Sequence, residues 1–139
     1  MRFGAAKVIL LVVGIGVSGV VGCKKSKETA VQDPHSPQGI VQRMQDHGQR
    51  LHDALARKDF GYIHDYAYYF NGLTKALNST LDADGKEKFR SSLEELNNLA
   101  NELDHSAGRR HAEATEASIQ RLQAIVKDLD KQIRETRRG

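Results

Sequence analysis

FGYIHDYAYYFNGLTKALNSTL, residues 60–81, is the stretch on which the fold turns. Its apolar positions are Phe60, Ile63, Ala67, Phe70, Leu77 and Leu81, with Thr74 standing in the one remaining place. The intervals alternate three and four without a break. That is the period of one helical face, not of a strand. A stripe so regular has to be buried against other helices, in the manner of a bundle seam. Asp59, immediately before it, is placed to cap the helix.

The same seam recurs on both sides. Upstream, Ser36-Pro37 supplies an N-cap followed by proline at the first helical position, and Ile40, Val41, Met44, Leu51 and Leu55 follow. Downstream, Asp84 with Glu87 resembles a capping box ahead of Phe89, Leu93, Leu96, Ala100, Leu103 and Ala107, and Gly108 suits the end of that helix. A fourth segment carries Thr115, Ile119, Leu122, Val126, Leu129 and Ile133. No proline occurs after Pro37. Four long amphipathic helices with short connections predict an all-α, up-down-up-down antiparallel four-helix bundle over residues 40–139. A longer coiled coil built by oligomerisation is the competing architecture.

The front of the chain is of another kind. MRFGAAK carries two positive charges, and VILLVVGIGVSGVV, residues 8–21, is an apolar run of 14. Crossing a membrane as a helix takes roughly 20 apolar residues, so this run is short for a span and fits the apolar region of a secretory signal. It ends in Val20-Val21-Gly22-Cys23, and Cys23 is the one cysteine in the chain. These four residues resemble the lipobox of bacterial lipoproteins, with Val20 where leucine is commonest. The resemblance implies cleavage before Cys23, acylation of its sulfur, and a mature chain held by lipid. It also implies localisation, because Lys24 stands where aspartate would retain such a protein at the inner membrane. The outer membrane, facing the periplasm, is expected. The alternative is an uncleaved anchor or an ordinary signal with an incidental cysteine. Residues 1–22 are thus read as signal and 23–39, with KKSKETAVQDPHSPQG after the cysteine, as a flexible tether.

Charge narrows the partners. The formal net charge is +3, but Arg2 and Lys7 lie in the signal and every acid follows Cys23, leaving 19 basic against 18 acidic residues. Interspersed signs give no basic stripe, so nucleic acid is not an expected partner. Helices three and four loosely resemble the second half of the cytochrome b562 type. Met44 matches that family's haem methionine, but no histidine follows His111 and no CxxCH occurs, so the resemblance concerns helix pattern and no haem is expected.

Two constellations carry chemistry. His52 and His64 are equidistant from the turn near Lys58, and His105 and His111 from Gly108. In antiparallel hairpins such pairs share a height, which would place all four at one end of the bundle. Neutral imidazoles converging there would suit copper, zinc or nickel; dispersed on polar flanks they would simply be solvated. The second constellation is Tyr62, Tyr66 and Tyr69, running beside the seam at spacings of four and three. Half-polar rings in a row either anchor a partner or pack at the bundle edge. Acid pairs such as Glu94-Glu95 lie on polar faces, and no nucleophile, base and orienting group stand at a recognisable spacing. A binding or structural role in the cell envelope, with a membrane anchor and an envelope protein as partner, is therefore expected rather than catalysis. A periplasmic transition-metal accessory protein is the alternative.

Cys23→Ser should abolish incorporation of radioactive palmitate and leave an uncleaved or differently cleaved, more slowly migrating chain. Labelling that persists in the variant would contradict the lipobox.

Overall fold

The computed structural model describes residues 33–138. The signal, Cys23 and most of the tether lie outside these residues. Four helices run in order: α1 (Pro37–Ala56), α2 (Phe60–Thr80), α3 (Ala83–Gly108) and α4 (Ala112–Thr136). Each packs on its two neighbours around the ring, α1 on α2, α2 on α3, α3 on α4, and α4 back on α1. This is the antiparallel four-helix bundle that the seam spacing predicts. Among the described residues no helix is long and apolar enough to cross a membrane.

Local chemistry sets the helix starts. The Ser36 hydroxyl accepts from the Gly39 amide at 3.1 Å, and Pro37 follows as the first helical residue. Helix α1 thus begins three residues before the bundle boundary read from sequence, and 37–39 belong to the bundle. Residues 33–36 fold back onto this first turn so closely that a Cβ at Gly39 would overlap the Asp33 carbonyl. The Asp59 carboxylate caps α2 through the Tyr62 amide at 3.1 Å, as expected. For α3 the cap is Asp82, bonded to the Gly85 amide at 2.7 Å, and not Asp84. Asp84 instead lies in the first turn, where its charge meets the positive end of the helix dipole.

Helices α1 and α3 end in the same way. Asp59 N–H donates to Ala54 O and Lys58 N–H to Leu55 O; likewise His111 N–H donates to Ser106 O and Arg110 N–H to Ala107 O. Each is a Schellman turn, and each puts a basic residue in the left-handed region: Lys58 at φ 56° and Arg110 at φ 57°. Gly108, expected to close α3, is its last helical residue, and Arg110 takes the left-handed place. The two hairpins are therefore in register. The offset that carries Lys58 onto Arg110 also carries Met44 onto Leu96, Leu51 onto Leu103, Phe70 onto Leu122 and Leu77 onto Leu129, all fully buried.

The core divides in two along the bundle axis. Ile40, Met44, Phe70, Leu77, Phe89, Leu96, Leu122 and Leu129 belong to the larger part. Leu51, Ala54, Ile63, Ala67, Leu103, Ala107 and Ile119 form the smaller one, beneath the two Schellman turns. The gap in the α1 seam between Met44 and Leu51 is Gly48, where Gln123 of α4 lies across the helix. A Cβ there would sit 3.1 Å from Gln123 Cγ, and the Gln123 amide donates to Gly48 O at 3.0 Å. Thr74 holds its seam position by returning its hydroxyl to Phe70 O at 3.1 Å.

Leu96→Ala should lower stability by about 2–5 kcal/mol, because Leu96 is fully buried in the larger core part. His111 occupies the α4 cap position and, unlike Ser36, Asp59 and Asp82, makes no side-chain cap bond. His111→Asp should accordingly raise stability by about 1 kcal/mol. Denaturant midpoints of the two variants check both signs.

Candidate functional site

The tyrosine row is built from the α2 cap outward. With Asp59 fixing the helix start, Ile63, Ala67 and Phe70 point inward, and Tyr62, Tyr66 and Tyr69 come up on the flank facing α1. Tyr62 and Tyr66 stack, with centroids 4.0 Å apart and planes at 19°. Tyr69 follows at 5.9 Å from Tyr66. A fourth ring arrives from α1: His47 lies 5.3 Å from Tyr66 and 4.5 Å from Tyr69. The result is a line of four rings along the α1–α2 groove, one end of it open, since Tyr69 is 46% exposed.

His47 is the member that inspection of the tyrosines alone does not find. Its signal was nevertheless in the chain, because His47 and Tyr69 are equidistant from Lys58. They meet because both stand on the groove flank of their helices as well as at one height.

Electrostatics tie the row together. The Tyr66 phenol is held below its ordinary value, first by hydrogen bonding with Tyr62 and then by Arg50; the Tyr62 phenol is raised, chiefly by burial. Burial, then Arg50, pushes His47 below its ordinary value, with Asp46 opposing and Arg43 adding to the shift. Its Nδ1 is covered and has no hydrogen-bond partner among the described residues. Arg43 is held by the Pro34 carbonyl at 3.1 Å, and neither Arg43 nor Arg50 has a carboxylate within ion-pair distance among the described residues. Tyr68, 66% exposed, is on another side, with its ring edge-on to His64.

The four histidines do not make one centre. His64 turns to α3, with Nδ1 2.7 Å from Asp104 Oδ1. The approach is not aligned as a hydrogen bond to that oxygen, and the same nitrogen lies 3.5 Å from Asp104 O. His52 lines a groove with Lys58, Arg110 and Glu116. His105 and His111 line a different groove, between α3 and α4. Among the described residues no three His, Cys, Asp or Glu side chains come together to hold a metal ion. The expected convergence of His52, His64, His105 and His111 on copper, zinc or nickel is thereby corrected. Equal distance from a turn fixes height and leaves azimuth free, and here the azimuths diverge. Met44 is fully buried in the larger core part. Cys23 lies outside the described residues.

Compared with family models, curated proteins and solved structures, the chain matches none.

The sign of the His47 shift gives a pH dependence. A histidine held below its unfolded value of 6.5 favours the neutral form in the folded state, so its contribution is present above that value and is lost as pH falls below it. The melting temperature should drop between about pH 7.5 and about pH 5.5, and His47→Gln should flatten that drop. An identical drop in the variant would assign the dependence to other groups.

Proposed function

We propose that this chain is a lipid-anchored bundle of the bacterial cell envelope that holds a protein partner through the ring line on its first hairpin, with no chemistry of its own. The anchor rests on the Val20–Cys23 lipobox resemblance and the charged, apolar stretch before it. The observation that carries the binding role is the line of His47, Tyr62, Tyr66 and Tyr69 on the surface, with Arg43 and Arg50 beside it. Tyrosine and arginine are the residues from which binding hot spots are built. Rigid rings lose little freedom on association, and guanidinium groups lacking a carboxylate have donors to spare.

A supporting feature is the stacking itself. Tyr62 and Tyr66 lie face to face, so the line presents edges and hydroxyls, a surface suited to the mixed polar and apolar contacts of a protein interface.

A photoreactive side chain at Tyr69 should give one discrete crosslinked adduct in intact envelopes, lost when Tyr62 and Tyr66 are both replaced by alanine. The same probe at Lys127 of α4 should give none. Equal adducts from both positions would mean that the ring line is not the contact face. Tyr62→Ala/Tyr66→Ala should still melt cooperatively, because neither ring is part of the fully buried core.

A further inference from the structure

The groove between α3 and α4 beside the second Schellman turn is the counterpart of the ring line, emptied of rings. The offset that carries Lys58 onto Arg110 carries Tyr62 onto Ala114, Tyr66 onto Ser118 and Tyr69 onto Arg121. Where the first hairpin stacks phenols, the second has a methyl, a hydroxyl and a guanidinium. The space so freed is an open groove of about 430 Å³.

Two guanidinium groups, Arg109 and Arg121, stand around the groove with the imidazoles of His105 and His111 and the carboxylate of Glu102. Arg121 is shared with Glu95, Nη2 to Oε1 2.6 Å. Arg109 has no carboxylate within ion-pair distance among the described residues; its Nη2 lies 3.4 Å from His105 Nε2. These guanidinium groups repel a metal ion and attract an anion.

Two further features mark the groove as a place for an oxyanion. Ser118 lines it while only 6% exposed, and its hydroxyl makes no hydrogen bond to any described residue. The oxygen itself is not sealed from solvent, so it is open on the groove side to an outside acceptor. In addition, His111 gives the first turn of α4 no side-chain cap, so N–H groups there are open beside Arg109, while Glu113 in the same turn already meets part of the helix dipole.

We propose that this groove binds the phosphate group of an organic phosphate, with Arg109 as the principal charge, Ser118 donating from the floor, and the carbon part of the ligand lying on Ala114 and Ala117. A tetrahedral anion has acceptors enough for donors that arrive from a guanidinium, a hydroxyl and a helix end at once. The same phosphate chemistry is offered by a free phosphate ester and by a phospholipid headgroup. The site is separate from the ring line, and its standing does not depend on the partner-binding role.

The full chain, titrated with inorganic phosphate at constant ionic strength, should show saturating shifts of the Glu113, Ala114 and Ser118 amide resonances, with a Kd of roughly 1–10 mM. Arg109→Gln and Ser118→Ala should each weaken this about fivefold or more, whereas Arg57→Gln, the equivalent turn position of the first hairpin, should leave it unchanged. Vesicles containing phosphatidylglycerol that compete with phosphate would assign the headgroup as the source; vesicles without effect would assign the free ester. Shifts that fail to saturate by about 50 mM would overturn the site, and so would equal weakening by Arg57→Gln, which would reduce the effect to general charge attraction.

Discussion

Two basic residues are forced into the left-handed backbone region at Lys58 and Arg110, and the register of the bundle follows from them. A non-glycine residue there costs on the order of 1 kcal/mol. The cost is offset by the paired hydrogen bonds that close each Schellman turn and by the apolar seams that the turn brings face to face. Both turns lie at one end, so each helix measures its height from that end. The meeting of His47 with Tyr69, and the correspondence of the ring line with the α3–α4 groove, both follow from that register.

Much of this could be read in the chain because the strongest signal, the alternation of three and four, is the one that packing enforces most strictly. Every seam position named in α3 and α4 is buried. What escaped was of three kinds. Leu73 and Leu99 widen the buried faces beyond a two-residue stripe, since a helix inside a four-membered ring touches two neighbours and buries a broader arc. The α3 cap went to Asp82 because the extended backbone at Leu81 and Asp82 lets its carboxylate reach the Gly85 amide. Gly108 drew the helix end to itself, yet a Schellman closure with good seam contacts tolerates arginine two residues later.

The candidate sites were legible only in part, and for one physical reason. Spacing along a helix gives height well and direction poorly. Tyr62, Tyr66 and Tyr69 were recognisable as a row because all three lie on one helix, where direction follows from position. The histidines came from different helices, each with its own facing, and only a three-dimensional arrangement separates His64 beside Asp104 from His105 and His111 in the neighbouring groove. The groove itself left its mark as an absence of bulk, at Ala114 and Ser118, and a missing side chain is hard to notice in a sequence without its counterpart hairpin for comparison.

The seat of Gln123 on Gly48 has a consequence for how the molecule opens. It joins residues 75 apart, whereas the ring contacts between α1 and α2 close a far shorter loop. The longer closure costs roughly 1 kcal/mol more in chain entropy. Helix α1 also sits at the edge of the chain, is the shortest of the four, and has a glycine where it meets α4. It is the element to detach first in a partial unfolding event, ahead of the cooperative loss of the remainder. Such an event would take His47 away from the three tyrosines while leaving α3 against α4. The two faces of this bundle therefore stand at different levels of local stability, the first hairpin's surface lost early and the second hairpin's groove kept until late.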